Sequence, residues 1–470
     1  MRLPSLGLKH KRPQLAFIAL AAIVSFTPAC GGPGADSPNR TPLAEKWYTR
    51  AKASYLEGDF DDARHAAEAA LQASASDTDI RVLNARIALM RLDFPLTLKL
   101  TNGLQTTEVH ALRGRAHWYA GNIEQAADEL EAMLLDPTVK DPWAREVAQL
   151  ARGGTGRHPF HIEGGLIAAV EMPRAGPALV VPCELEGERI LALVATAVGE
   201  LIIDSNSRKE PAWVNLKFGD KLEVKDVPAL TQDLSGLSRQ LGAPIKALLG
   251  VNLLRHMHVT FDRRGDQFVV RKDEPSAPPD ASRVPLYYVR GGGMMLRANV
   301  SGKEGGDTTL LVDSSAAFPL SLEPATWKRA GVDPASLVAD PSAPNIRTGA
   351  VPSLKIGGFD LPKVPAMEGS SLTELKSTID VNLGGIIGGG LLSIFRVTFG
   401  DDGRFMWLEP DPGMSAAPPG TGPQGGGPGA GPGPEPQAPP KARPPSDTPP
   451  PPPPVTKPTA PPPAKPGAKK

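Results

Sequence analysis

Asp313 stands between an apolar run and two hydroxyls, in Leu311-Val312-Asp313-Ser314-Ser315. A carboxylate at such a turn can take a proton from water or give one to a substrate, and burial sets the pKa that suits either task. Its plainer reading is a turn aspartate. The pattern occurs once before, as Leu193-Val194-Ala195-Thr196-Ala197, and there alanine replaces the acid. Alanine has no proton to exchange. Other reactive side chains are less well provided. Cys183 follows the apolar run Ala178-Leu179-Val180-Val181-Pro182 with no histidine near it, and reads as a small buried hydrophobe. His256-Met257-His258 is expected to put two imidazoles on one strand face, and His158 and His161 sit at a domain junction; a metal centre needs a third ligand, and none is evident. Gly291, Gly292 and Gly293 lack the Lys-Ser/Thr of a phosphate loop. No metal or cofactor is expected.

The elements that hold Asp313 come from a repeat. Over residues 164–410, short apolar or alternating runs are bounded by Gly, Pro, Asn and Asp, which predicts strands and turns. Leu216-Lys217-Phe218-Gly219 with Val227-Pro228-Ala229 is echoed by Leu354-Lys355-Ile356-Gly357 with Val364-Pro365-Ala366. Leu248-Leu249-Gly250 is echoed by Ile386-Ile387-Gly388, and Val259-Thr260-Phe261 by Val397-Thr398-Phe399. Gly250 and Gly388, Val259 and Val397, and Leu216 and Leu354 are all 138 positions apart, so three motifs keep one register. The second copy carries extra residues over 324–348, where Trp327-Lys328-Arg329-Ala330 predicts a short helix. Arg263-Arg264-Gly265-Asp266 and Asp401-Asp402-Gly403 read as equivalent hairpin turns.

This order of motifs resembles the retropepsin-like and pepsin-like aspartic proteases, over about half the chain. The resemblance implies two β lobes, 164–275 and 284–410. It places Asp313 at the catalytic position, with Ser314 and Ser315 completing its turn and Ala195, Thr196 and Ala197 opposite. It makes Gly250 and Gly388 the supporting glycines packed beneath the two turns. Ser315 stands where the family has a glycine for close approach across the axis, which predicts some local strain. Aspartic proteolysis needs two carboxylates sharing one proton, one acting as base on water and one as acid on the carbonyl. Lobes paired within one chain would leave a single Asp, a pseudoprotease whose cleft holds peptides or partner proteins by strand addition without cutting them. Pairing of two Asp313 lobes in a homodimer would instead give an active aspartic endopeptidase. The in-register repeat favours pairing within the chain, because adjacent lobes have a high effective concentration.

Residues 42–152 have helical periodicity and are rich in Ala, Leu and Glu. Gly58-Asp59-Phe60 is followed by Ala63 and Ala70, and Gly121-Asn122-Ile123 by Ala126 and Met133; Leu92-Asp93-Phe94 reads as a degraded middle copy. These units resemble tetratricopeptide repeats. The resemblance implies a groove for a peptide or protein partner, and the alternative is a spacer. Trp47, Ala51 and Tyr55 recur on one helical face as expected core.

Arg2, Lys9, Lys11 and Arg12 precede an apolar run over 15–26 that is too short to span a bilayer. Thr27-Pro28-Ala29-Cys30-Gly31-Gly32 then resembles a bacterial lipobox. That makes 1–30 a lipoprotein signal, Cys30 the lipidated residue and 31–41 a tether. It implies a cell-envelope protein lipid-anchored to a membrane, with Gly31 favouring the periplasmic face of the outer membrane. The simpler alternative is an ordinary signal peptide with a coincidental cysteine. Residues 411–470 are Pro- and Gly-rich and expected to be a disordered tail. Formal net charge is zero and no basic stripe exists, which argues against nucleic acid as a partner. The expectation is a multidomain α + β chain: tetratricopeptide-like helices, then a mainly-β bilobal aspartic-protease-like domain. Its expected role is peptide or protein binding, with homodimeric proteolysis and a purely structural envelope scaffold as alternatives.

Overall fold

The computed structural model describes residues 40–410, apart from 175–177, 290, 291, 304, 342 and 369–378. The leader with Cys30, nearly all of the tether and the Pro-rich tail lie outside these residues.

Seven helices come first: α1 (Pro42–Leu56), α2 (Phe60–Ala73), α3 (Thr78–Met90), α4 (Phe94–Thr101), α5 (Thr107–Tyr119), α6 (Ile123–Leu134) and α7 (Pro142–Arg152). Thr41, Asp59, Asp77, Asp93, Thr106 and Asp141 each accept a backbone N–H at a helix start, satisfying a donor the helix leaves open. Gly58, Leu92 and Gly121 occupy equivalent turns with φ of 72°, 57° and 77°. The degraded middle copy is therefore a complete helix pair, and Leu92 takes a left-handed conformation glycine would adopt more easily. Its buried side chain offsets that cost. α3 and α5 are not amphipathic: Leu83, Asn84, Ala85, Ile87, Ala88 and Leu89 are all buried, as are Leu112, Arg113, Gly114, Arg115 and Ala116. Helices buried all round have neighbours on both sides. Here α2, α4 and α6 cover one side and the β domain covers the other.

The β domain has two related sheets joined by a third. In the first lobe, Glu188–Val194 runs parallel to Ile245–Leu249, which pairs antiparallel with Leu201–Asp204. In the second, Asp307–Asp313 runs parallel to Gly385–Gly388, which pairs antiparallel with Leu320–Leu322. Near-continuous Val, Ile and Leu suit strands buried on both faces. Cys183 lies in the first lobe's core, where burial raises its thiol pKa to about 12 and keeps it protonated. The joining sheet has the order Ser282–Pro285, Phe405–Pro410, Phe395–Gly400, Thr260–Asp262, Gln267–Arg271, Ile167–Glu171. Three strands come from each half, and Thr260 pairs with Thr398, its own repeat equivalent, at the centre.

One sequence expectation needs correction. His256 ends the helix Val251–His256 rather than lying on a strand, because Gly250 turns the chain directly into that helix. The ring stacks on Phe160 with centroids 4.4 Å apart, and burial holds its pKa well below the usual value, so it stays neutral. The helices pack against the lobes. They share buried clusters with both lobes, and Trp213 Nε1 donates to Leu150 O at 2.9 Å while Thr309 Oγ1 donates to Gly58 O at 2.9 Å.

Candidate functional site

Each lobe's central parallel strand ends in a turn, and the two turns meet inside one chain. Thr196 N donates to Ser314 Oγ at 3.1 Å, and Ser314 N donates to Thr196 Oγ1 at 3.0 Å. Thr196 Oγ1 donates onward to Val312 O, and Ser314 Oγ to Val194 O, both at 2.7 Å. Both residues are fully buried, so every polar atom in this reciprocal set needs its partner. The set is two-fold symmetric and places Ala195 and Asp313 as counterparts across the axis.

Gly250 and Gly388 lie beneath these turns. A Cβ on Gly250 would stand 2.1 Å from Glu200 O, and one on Gly388 would stand 1.9 Å from Phe318 O. Only glycine admits such approach. Around the half-buried Asp313, Ser315 N donates to Oδ1 at 3.0 Å and Ser315 Oγ donates to the same atom at 2.5 Å. Burial raises the Asp313 pKa, and the Ser315 hydrogen bonds work against that rise. Ser315 thus takes its place by binding Asp313, with no left-handed backbone. Among the described residues no second carboxylate joins Asp313 at the turn; its counterpart is the methyl of Ala195.

The surface that carries these two residues is covered. Side chains alternate along a strand, so Thr309 and Leu311 share a face with Asp313, and Leu193 with Ala195. Leu311 belongs to a buried cluster with Tyr55 and Phe60 of the helices. Leu193 and Ala195 belong to another with Leu89, Leu112 and Trp118. The α1–α2 turn is fixed to the second lobe by Gly58 O, by Asp59 paired with Arg297 at 3.2 Å, and by Phe60 against Tyr287 with ring centroids 4.6 Å apart. Arg255, on the first lobe, donates to Tyr119 O of α5. The helical face and the β cleft therefore fill one another, which corrects the expectation of an open peptide cleft. A small cavity between them is bounded by Arg86, Arg115, Tyr119, Asn252 and Tyr288.

Glu200 is the residue the sequence reading missed. It is 4% exposed, at the junction of the Ala195 turn and α5. Trp118 Nε1 donates to Glu200 Oε1 at 3.3 Å, while Trp143 Nε1 faces the carboxyl without completing a bond. Burial pushes its pKa up to about 7, against the indole donors and Arg115. The available signal was a lone acid within Val198-Gly199-Glu200-Leu201-Ile202-Ile203, a run otherwise too apolar for an exposed charge.

No protein-family model matches the chain, and no curated protein matches it. Parts of it are similar to solved structures. The soybean basic 7S globulin structure aligns at 11% identity and TM-score 0.36, over 55% of this chain and 98% of its own. A retropepsin-like aspartic protease from Rickettsia conorii aligns at 17% identity and TM-score 0.21, over 27% and 90%. The Arabidopsis OM64 TPR domain aligns at 16% identity and TM-score 0.23, over 24% and 98%.

Proposed function

We propose that this chain is a non-catalytic, aspartic-protease-like protein, anchored in a bacterial cell envelope by lipid on Cys30, that acts by binding peptide or protein partners. One observation carries the non-catalytic part: Ala195 is the counterpart of Asp313 across an axis completed within the chain. A lone carboxylate cannot serve as base and acid in one step. The homodimer alternative would need Thr196 and Ser314 to release all four hydrogen bonds that tie the two turns together before a second Asp313 could enter. The envelope location rests on Ala29, Cys30 and the apolar run before them.

The test is incubation of the chain from residue 31 onward with a mixed peptide library at acid and near-neutral pH, with oligomeric state recorded. Asp313→Asn is the control. A monomer that cuts nothing supports the proposal. Cleavage that the substitution abolishes would refute it and establish the dimeric protease. Membrane fractionation of wild type against Cys30→Ala checks the anchor, which predicts loss of membrane attachment in the variant.

A further inference from the structure

Residues 379–383, Ile-Asp-Val-Asn-Leu, pack across the helical module. Ile379, Val381 and Leu383 are buried, whereas Asp380 is half-buried and Asn382 exposed. The three apolar side chains join a cluster with Ala51, Tyr55, Phe60, Leu83, Ile87 and Met90 of α1, α2 and α3. Between them, Tyr55 OH donates to Asp380 Oδ1 at 3.0 Å and Arg86 Nη1 pairs with Asp380 Oδ2 at 3.4 Å. The backbone is held as well: Asn382 N donates to Leu56 O at 2.7 Å, and Asn382 Nδ2 donates to Glu57 Oε1 at 3.1 Å. Alternate apolar anchors, a main-chain bond and a paired charge are how proteins hold peptide segments.

The repeat shows which of these features is additional. Residue 380 is equivalent to Gly242 in the first lobe, at the same 138-residue offset. The lobe architecture therefore forms without an acid there. Asp380 answers Arg86 of the helices, not a need of the β fold.

We propose that the α1 and α3 face is a peptide site occupied by the chain's own residues 379–383, and that its partner is a protein segment with apolar side chains at three alternate positions and an acid between the first two. This deepens the binding reading above and rests on it. The internal segment competes at high effective concentration, so a partner gains access when that segment lifts.

The experiment uses the mature chain and a fluorescein-labelled Ile-Asp-Val-Asn-Leu peptide, read by anisotropy and by mass spectrometry. Three proteins are compared: wild type, Asp380→Lys, and the triple variant Ile379→Ser, Val381→Ser, Leu383→Ser. Removing the competitor is expected to tighten peptide binding at least ~10-fold in the triple variant. Adding Arg86→Glu should abolish that binding, and a peptide with Lys in place of Asp should restore it. A triple variant that keeps its helical circular dichroism and cooperative melting yet binds no better than wild type overturns the proposal. If the triple variant unfolds, Asp380→Lys decides by the same comparison, since its side chain is only half-buried. Peptide cleavage by any of these proteins would count against the non-catalytic reading and leave the binding site standing.

Discussion

The hydroxyls of Thr260 and Thr398 meet at 2.8 Å across the central strand pair of the joining sheet. Each residue is the other's repeat equivalent, 138 positions away, so the internal two-fold passes between them. Thr196 and Ser314 repeat this relation at the turns. The lobes are thus tied at two levels along one axis, and Ala195 and Asp313 sit beside it.

Ser314→Ala tests the upper tie. It removes the acceptor of Thr196 N and the donor to Val194 O, in a fully buried place. Each buried group left without a partner costs about 1–3 kcal/mol. Urea unfolding should show a loss of that order, while Ser314→Thr, which keeps the hydroxyl, should lose less. An alanine variant as stable as wild type would mean that the lobes are held without this set.

The repeat made much of this legible in advance. Three motifs in one register identify two copies of a unit, and the substitution at Ala195 is readable directly by setting Leu193-Val194-Ala195 against Leu311-Val312-Asp313. The covering of the cleft was not legible. Alternation along Asp307–Asp313 says that Thr309, Leu311 and Asp313 share a face, but no local pattern says which distant element lies on it. The hint lay in α3 and α5, whose apolar residues surround the helix instead of forming a stripe. Glu200 escaped for a related reason: a buried acid is recognised by the Trp118 and Trp143 side chains around it, which are far away in sequence.

Asp313→Asn should alter the pH dependence of stability. Burial raises the folded-state pKa of Asp313, so the folded protein holds the proton more tightly than the unfolded chain. That contribution is complete below the unfolded value of about 4 and is lost as pH rises through the folded value. Asparagine still accepts from Ser315 and carries no charge. The variant should therefore gain stability relative to wild type as pH increases above about 4, measured by urea unfolding across the range. A constant difference at all pH values would show that Asp313 is not desolvated.

Gly58 joins the helices to the second lobe. Its φ is +72°, and an added Cβ would lie 2.3 Å from Thr309 Oγ1. Gly58→Ala should cost more than the roughly 1 kcal/mol expected of an exposed left-handed turn, because contact and backbone strain add. Gly121, at the equivalent turn with φ +77° and open space around its Cβ position, is the internal control. Thermal unfolding should rank Gly58→Ala below Gly121→Ala, and Thr309→Ala should recover part of the difference. Equal losses would mean that the α1–α2 turn does not bear on the lobe.

Glu200 should make the helix–lobe junction sensitive to pH near neutrality. Its pKa rises from about 4.5 unfolded to about 7 folded, because burial disfavours the carboxylate more than Trp118 and Arg115 favour it. The groups facing it are Trp118, Tyr119 and Arg115 on α5 and Trp143 on α7. The stabilising contribution is complete below about 4.5 and is lost progressively as pH rises to about 7, where the folded protein must ionise a buried acid or loosen around it. A shift of that size corresponds to a change on the order of 3 kcal/mol. Glu200→Gln keeps an acceptor for Trp118 Nε1 and cannot ionise. Its stability should decline less than that of wild type over this window, and tryptophan emission should report the difference at the junction. Parallel pH profiles for the two proteins would show that water reaches Glu200 and that the junction does not sense protons.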